Sequence, residues 1–346
     1  MGAPDRPALP AGFDVPPSGG GVPAAPPPAA HRAPAPTGWA RDDELSSTAL
    51  LRDGRPPPPG GWRRALFTLT GGLLNPGESR DELRRREFRN RARTPADRGH
   101  HRVAVLGING GEGRAATAVG LGSALAEGRG DRVIALDADP GRGALARHAS
   151  ARPPRERTVR DLLAAGDTLK RYADVRSYTG QLRSRLELLA CAPLPVGEAF
   201  TAREYRDLAA VAERFYSVCV IDCDADLPRP LLEEVLSSAD QIVLVTPPSP
   251  EGVRGVTGAL DRLSGQGHDV LARGAVVAVC AAGGRGEPGS DRAAAGFALR
   301  CRSVVTIPHD AGLAAGAAVE PAVLRPVTRR AYLRLAVEVA SGFAAG

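Results

Sequence analysis

A glycine-rich turn between an apolar run and a helical pattern is the first feature of this chain that could do chemistry. Residues 102–108, RVAVLGI, predict a buried strand, NGGEG follows, and from residue 115 the sequence AATAVGLGSALAEG predicts a helix. In such a turn, glycines let successive backbone N–H groups converge on an anion, and the helix N-terminus adds a favourable dipole. The arrangement therefore predicts an oxyanion site.

The residue types in this turn depart from the standard phosphate loop, GxxxxGK[ST]. That loop uses a lysine on the phosphates and a hydroxyl on magnesium. Here Arg114 and Ala115 occupy these two positions, and Ile108 stands where the first glycine belongs. Lys170, the single lysine of the chain, lies far along the sequence in a polar helical connection. Thr117 comes too late in the helix to replace the missing hydroxyl.

Three aspartates end predicted strands at the same edge of the sheet. Asp137 and Asp139, in LDADP, end the second strand, and Asp222 ends the apolar run VCVID. Because the carboxyl ends of parallel strands meet at one edge, these carboxylates are expected close to the glycine-rich turn. Such groups can hold a magnesium ion or a water. Strand-end turns and helix caps are the alternative role for all three.

The apolar runs alternate with helical patterns, which is typical of βαβ units. We therefore predict an α/β fold: a mostly parallel β-sheet of about seven strands with helices on both faces. The predicted strands are 102–108, 132–139, 186–191, 217–224, 241–248, 275–280 and 303–308, and the helices include those from 115 and over 158–166, 202–215 and 325–343.

The chain is predicted to have three parts. Residues 1–60 carry 15 of the 31 prolines and predict a disordered Pro/Ala/Gly-rich leader. Residues 61–100 combine a short amphipathic helix over 62–74 with a basic arm over 84–93, and 101–346 form the α/β domain. The helix either docks on the domain or contacts a partner or a membrane surface. The arm is either a solvated helix or binds an acidic partner, lipid or DNA.

Composition excludes several classes of protein. The net charge of +6 is concentrated in the basic arm, so the sum alone does not indicate nucleic-acid binding. The apolar stretch 65–74 is about ten residues long and too short to span a bilayer, and no signal peptide is evident. Five scattered cysteines without a CxxC pair predict reduced core residues. We expect a cytoplasmic protein, with peripheral contact to the inner face of the membrane as an alternative.

Several segments together carry a family resemblance. The chain from about 100 to 343 resembles the ParA/MinD family of deviant Walker A (SIMIBI P-loop) ATPases, and within it the EspI-like proteins of actinobacterial type VII (ESX) secretion. The matching segments are GGEGRAATA at 110–118, VIALDADPGRGALA at 133–146, VCVIDCD at 218–224, VLVTPPSPEGVRG at 243–255 and IPHDAGLAAGAAVEP at 307–321.

The resemblance implies roles for individual residues. In the family loop KGGxGKT, the first lysine reaches the partner's nucleotide across a dimer, the second holds the β/γ-phosphates and the threonine binds magnesium. Asn109, Arg114 and Ala115 stand at these positions. By the same resemblance, Asp139 would orient the attacking water, and Asp137 and Asp222 would serve the magnesium shell. The implied nucleotide-binding residues are Asn109, Gly110, Gly111, Gly113, Arg114, Ala115, Ala116 and, beside the adenine, Pro308.

These departures predict that ATP and Mg²⁺ bind weakly or not at all. Charge-assisted hydrogen bonds contribute about 1.5–3 kcal/mol each, so losing two lysine contacts would cost roughly 10²- to 10⁴-fold in affinity. We expect a degenerate nucleotide site in a non-catalytic or weakly catalytic accessory protein. Its protein partner would belong to a type VII secretion or positioning assembly, and residues 1–93 would supply the contact arms.

Two other functions remain open at this stage. The first is an active ATP hydrolase in which Arg114 and Asn109 replace the lysines and ATP drives dimerisation. The second is a DNA- or membrane-surface-binding protein that acts through the arm 84–93.

Overall fold

A computed structural model describes most of the predicted α/β domain and part of the segment before it. The described residues are 61–71, 73, 90, 99–108, 113–138, 143–149, 157, 159–189, 200–224, 226–281, 296–297, 300–320 and 322–343. The predicted leader 1–60 and almost all of the basic arm 84–93 lie outside them, so both remain predictions.

Eight strands form a single sheet in the order β3-β4-β2-β5-β1-β6-β7-β8. All neighbours are parallel except β3 and β4. The predicted mostly parallel sheet is confirmed, and the strand that sequence patterns missed is the two-residue β3. The strands are β1 His101–Gly107, β2 Val133–Asp137, β3 Gly180–Gln181, β4 Glu187–Leu189, β5 Val218–Cys223, β6 Gln241–Thr246, β7 Val276–Cys280 and β8 Ser303–Ile307.

The central strands are mostly apolar because both faces of the sheet are covered. On β1, Val103 and Val105 belong to the core on one face, and Ala104 and Leu106 belong to the core on the other. This strand pairs with β5 on one side and with β6 on the other. The strand that precedes the glycine-rich turn therefore lies in the middle of the sheet.

Eleven α-helices lie within the described ranges. They are α1 Gly61–Leu69, α2 Arg114–Gly128, α3 Ala144–Arg147, α4 Val159–Ala165, α5 Tyr172–Arg176, α6 Ala202–Phe215, α7 Arg229–Ser238, α8 Pro250–Gly265, α9 Asp269–Gly274, α10 Ala311–Ala314 and α11 Pro326–Ala340. A 3₁₀ turn, Gly166–Thr168, follows α4.

Local sequence signals explain where several helices begin. At α6, the Thr201 hydroxyl accepts from the N–H of Glu204, and the Glu204 carboxylate accepts from the N–H of Thr201, which is a capping box. At α8, the Ser249 hydroxyl caps the N–H of Gly252, and proline occupies the first helical position. The start of α6 agrees with the predicted helix 202–215, whereas α8 was not among the predicted helices.

Helix α1 is shorter than the predicted 62–74. It ends at Leu69, and Gly71 adopts a positive φ of 58°, a conformation that glycine tolerates after the end of a helix. Leu69 and Leu73, two members of the predicted apolar stripe, are 85% and 92% exposed. No helix in the described part of the chain has both the length and the apolar character needed to cross a bilayer.

Candidate functional site

The carboxyl edge of the sheet brings the predicted acidic residues and the start of α2 together. Asp137 on β2 and Asp222 on β5 lie opposite each other in the parallel register. Both side chains are buried. Because β1 is the other neighbour of β5, the helix that follows β1 begins beside this pair. Residues 109–112 of the turn lie outside the described ranges, and the residue that the structure places beside this pair is Arg114 at the start of α2.

Arg114, the first residue of α2, forms two ion pairs with carboxylates of the β5 end. Its Nε lies 2.8 Å from Oδ1 of Asp222, and its Nη1 lies 2.8 Å from Oδ2 of Asp224. The side chain of Arg114 is only 6% exposed and that of Asp222 is fully buried. Arg114, which stands where the standard loop has its phosphate-binding lysine, thus lies against the carboxylates at the end of β5.

The electrostatics of this cluster keep Arg114 charged. Burial alone would lower the pKa of the guanidinium, but the nearby carboxylates of Asp222 and Asp224 outweigh it and raise the pKa above its usual value. A buried arginine of this kind is a permanent positive charge. Its charge is already matched within the protein before any ligand binds.

Asp224 is a site residue that sequence reasoning missed. Side chains two positions apart on a strand point to the same face, and the chain reads Asp222, Cys223, Asp224 across the end of β5. The period-two spacing of the two aspartates was therefore a usable signal. It was overlooked because Asp222 alone matched the expected strand-end carboxylate.

A cavity of about 390 Å³ opens beside the N-terminus of α2. That volume lies in the range of small-molecule sites, roughly 300–1,000 Å³. Three predicted residues line it, Gly113, Ala116 and Pro308, whereas Arg114 and Ala115 do not. The remaining lining residues are His148, Pro247, Cys280, Ala281, Ile307, His309, Asp310, Leu313, Ala314 and Tyr332.

Gly113 allows a close approach between α2 and β7. It caps the helix in the left-handed conformation with a φ of 85°, and no side chain caps the helix there. A β-carbon at this position would lie 3.2 Å from Sγ of Cys280. Burial raises the pKa of the Cys280 thiol to about 11, so the thiol stays neutral near pH 7.

Thr117 does not take the place of the missing magnesium-binding hydroxyl. Its side chain is fully buried, and Oγ1 lies 3.5 Å from Sγ of Cys280 on β7. The hydroxyl is thus held inside the packing between α2 and β7. This geometry agrees with the expectation that Thr117 comes too late in the helix.

Asp310 is the one carboxylate among the described residues of the cavity wall. It caps α10 by accepting from the N–H of Gly312 at 3.1 Å, and it also accepts from the N–H of Arg325 at 3.2 Å. Burial would raise the pKa of Asp310, but the hydrogen bond from the Thr328 hydroxyl and those from backbone N–H groups outweigh burial and lower it. The cavity therefore carries a fixed negative charge, and none of its described lining residues is a lysine or an arginine.

Four predicted site residues lie outside the described ranges. They are Asn109, Gly110, Gly111 and Asp139. Their implied roles toward a nucleotide and toward the attacking water therefore stay predictions. Within the described part of the chain, no group of three or more His, Cys, Asp or Glu side chains is arranged to hold a metal ion.

The sequence is similar to two curated mycobacterial proteins. It is 33% identical over 291 residues to the ESX-1 secretion-associated protein EspI of Mycobacterium tuberculosis, strains CDC 1551 / Oshkosh and H37Rv. The match covers 82% of this chain and 42% of each relative, so the chain spans less than half the length of these curated relatives. No family model matches the chain.

Solved structures with the same fold come from the ParA and MinD proteins. A ParA family ATPase from Chlorobium tepidum TLS has a TM-score of 0.53 and 19% identity, and the match covers 69% of this chain and 98% of that one. MinD of Pyrococcus horikoshii OT3, solved with Mg-ADP, has a TM-score of 0.52 and 22% identity, and the match covers 69% of this chain and 96% of that one. MinD of Aquifex aeolicus, in complex with MinC, has a TM-score of 0.52 and 16% identity, and the match covers 70% of this chain and 96% of that one. The resemblance to ParA/MinD-like proteins of the EspI type is thus confirmed.

Proposed function

Because this chain has the ParA/MinD-like P-loop fold and is related in sequence to EspI, we propose that it is an accessory protein of an ESX (type VII) secretion assembly. Its nucleotide site is degenerate and turns over ATP slowly or not at all. The single observation that carries the second part of the proposal is the pairing of Arg114 with Asp222 and Asp224.

Binding of Mg-ATP would have to compete with that pairing. To reach a phosphate, Arg114 would leave two carboxylates that are 0% and 16% exposed. Breaking a buried ion pair by removing one partner costs about 3–5 kcal/mol, which corresponds to roughly 10²- to 10⁴-fold in affinity. Asp222, which the resemblance assigns to the magnesium shell, would also have to exchange its arginine for the metal.

The cavity offers little to offset this cost. Its described wall contains no lysine or arginine, and its fixed charge is the carboxylate of Asp310. Ala115 replaces the magnesium-binding hydroxyl, and Thr117 is packed against Cys280. The described residues therefore do not fit Mg-ATP, although the acidic strand ends of the fold are retained.

The accessory role is supported by the similarity to EspI across most of this chain. An accessory protein without turnover acts by contacting other proteins, and Leu69 at the end of α1 and Leu73 beyond it are exposed and available for this purpose. We assign the contact arms to residues 1–93. Loss of this protein from its native cell should reduce export of ESX substrates, and unchanged export would contradict the role.

Titration calorimetry and phosphate release test the nucleotide half of the proposal. The unaltered protein should show no turnover above background and no Mg-ATP affinity in the micromolar range. The triple variant Asn109→Lys, Arg114→Lys, Ala115→Thr restores the residue types of the family loop and should gain affinity by at least about tenfold. Arg229→Lys, on an exposed arginine of α7, is the control for an arginine-to-lysine change.

The outcomes of this experiment separate the alternatives. Micromolar affinity in the unaltered protein, together with an ATP-dependent shift to dimer in light scattering, would establish the active ATPase instead. No gain in the triple variant would mean that features beyond the loop exclude the nucleotide.

A further inference from the structure

Exposed cations gather at the amino edge of the sheet, the edge opposite to the candidate site. Arg132 directly precedes β2, and the turn between β3 and β4 contributes two more arginines. A helix that connects parallel strands runs back along the sheet, so Arg214, in the last turn of α6, belongs to the same edge. We call this group the basic edge; its members, all exposed, are Arg132, Lys170, Arg171, Arg183, Arg185 and Arg214.

Direct contacts join the segments that carry these cations. The guanidinium carbon of Arg132 lies 3.7 Å from the ring centroid of Tyr172 on α5. The Tyr172 hydroxyl donates to the carboxylate of Glu187, the first residue of β4. Nη2 of Arg214 donates to the carbonyl of Leu169 at 3.0 Å, which holds the segment leading into α5 beside the end of α6. The basic edge is therefore one continuous part of the surface.

The turn before β4 presents its two arginines to solvent. Arg183 and Arg185 are exposed and alternate with buried residues at 182, 184 and 186. Nη2 of Arg185 donates to the carbonyls of Ala126 and Arg129 at 2.7 and 2.8 Å. These bonds fix the turn against the end of α2, so the two charges are held in place before any partner binds.

The described carboxylates do not neutralise the basic edge. None of its side chains forms an ion pair with a carboxylate of the described residues. Exposed arginines on α6, α7 and α8 differ in this respect, because each pairs with a carboxylate: Arg203 with Asp207, Arg206 with Glu234, Arg229 with Glu233 and Arg254 with Glu251.

Two carboxylates at this edge already have other partners. Asp131, next to Arg132, pairs with Arg129. Asp174 accepts from the backbone N–H groups of Lys170 at 3.0 Å and Arg171 at 2.7 Å, and not from their side chains. An incoming anion would therefore meet guanidinium and ammonium groups that have no competing carboxylate.

The surface suits an acidic polypeptide better than a phosphate surface. Asp167 is exposed three residues before Lys170 and interrupts the positive charge, whereas a nucleic acid presents its negative charges without a break. The guanidinium fork matches a carboxylate in a bidentate geometry. In addition, β3 is an edge strand whose outer side pairs with no described strand, and a polypeptide in extended form can pair with such an edge.

We propose that the basic edge binds an acidic, extended segment of a partner protein. This inference rests on the proposed function, because a protein without turnover acts through its contacts. It names the chemistry that the partner must carry, and it adds a second contact site to the arms assigned to residues 1–93.

Fluorescence anisotropy with labelled octaglutamate and the full chain at low salt tests the proposal. Charge reversal in the double variant Arg171→Glu, Arg183→Glu should weaken binding at least about tenfold. The matched control is Arg203→Glu, Arg229→Glu, which changes the net charge equally but at the starts of α6 and α7; it should weaken binding less than about threefold. Circular dichroism confirms that both variants are folded, and equal losses in the two would overturn the proposal.

Lys170 makes the experiment specific for this surface, because it is the single lysine of the chain. A carbodiimide condenses a peptide carboxylate with an amine and takes up the water that is lost. Octaglutamate can therefore couple to Lys170 or to the N-terminal amine, and the arginines of 84–93 cannot react. Peptide mapping should find the amide at Lys170, with at least about fivefold less in Arg171→Glu, Arg183→Glu than in the control. Coupling confined to the N-terminal amine would overturn the proposal.

The remaining outcomes separate other occupants and the proposed function. If a short DNA duplex, or vesicles of phosphatidylglycerol and phosphatidylcholine, bind more tightly than octaglutamate and lose affinity in the same double variant, a phosphate surface is the occupant and the inference is wrong. Absence of octaglutamate binding, together with absence of Mg-ATP binding, overturns the inference and leaves the proposed function standing. Micromolar affinity for Mg-ATP with coupling retained at Lys170 contradicts the degenerate nucleotide site and supports the basic edge as a contact surface.

Discussion

The ring of Tyr332 on α11 occupies the space into which a side chain at Gly120 on α2 would project. A β-carbon built on Gly120 would lie 2.6 Å from Cε1 of Tyr332, far closer than packed carbon atoms approach. Both residues are buried, and the absence of a side chain lets the two helices lie against each other. The packing of α2, the helix that begins at the candidate site, thus depends on this glycine.

Gly120→Ala should therefore destabilise the fold. Overpacking a buried contact costs about 1–3 kcal/mol, and urea unfolding measures the loss. Gly265→Ala is the matched control, because it also lies in a helix, α8, and a β-carbon there meets nothing within 4 Å. We expect that control to be neutral or more stable by up to about 1 kcal/mol. Equal effects at the two glycines would contradict the packing argument.

Arg114→Met should cost more stability than the loss of any exposed arginine. It leaves Asp222 and Asp224 without their guanidinium, and removing one member of a buried ion pair costs about 3–5 kcal/mol. Arg229→Met breaks an exposed pair with Glu233 on α7 and should change stability by about 0.5 kcal/mol or less. Chemical denaturation of both variants measures the difference, and a cost below about 1 kcal/mol for Arg114→Met would show that the pairing matters little.

Glu187 on β4 holds a second buried polar cluster, at the opposite side of the sheet from β8. Its carboxylate accepts from the hydroxyls of Tyr172, Tyr216 at 2.5 Å and Thr179 at 2.9 Å. Burial is the largest cause that raises the pKa of Tyr172, to about 12, and the hydrogen bond to Glu187 is the second. These contacts attach α5 and the start of β5 to the short edge strands.

Glu187→Ala should destabilise the domain by about 3 kcal/mol or more, because two buried hydroxyls and the partly buried hydroxyl of Tyr172 lose their acceptor. Glu187→Gln retains an acceptor and should cost less. Glu234→Ala on α7, which removes a surface pair with Arg206, should cost about 1 kcal/mol or less. Thermal unfolding of the three variants ranks them, and equal costs for alanine and glutamine at 187 would count against a role for the hydrogen bonds.

Stability should fall as the pH drops through the histidine range. Burial lowers the pKa of His101, and burial together with Arg147 lowers that of His148. The unfolded chain then binds more protons than the folded one below about pH 6.5, so the free energy of unfolding decreases with slopes up to about 1.4 kcal/mol per pH unit and per proton. Denaturation between pH 7.5 and 5.5 measures this slope, and His148→Gln should make it shallower. An unchanged slope in that variant would show that His148 is not a source of the effect.

The sequence sufficed for the parts of the fold that follow local rules. Strands such as β5 and helices such as α6 were predicted because apolar runs and helical patterns are read within a few residues. The two-residue β3 escaped because it is too short to show a pattern, and its pairing depends on β4.

The residues of the candidate site could be predicted from the sequence, but the contacts between their side chains could not. The sequence placed Arg114 and Asp222 at one edge of the sheet, yet their ion pair depends on where the arginine side chain turns after the loop. Tyr332 lies more than 200 residues from Gly120 in the sequence. Its place in the cavity wall depends on how α11 packs against α2, and no local sequence motif predicts this packing.

The guanidinium of Arg114 acts as an internal counter-ion for the acidic strand ends. Under the proposed function, a domain that carries its own counter-ion would keep one conformation whether the cell is energy-rich or starved. Its output would then be set by how much of the protein is made and by which molecules it meets, and would not follow the adenylate pool.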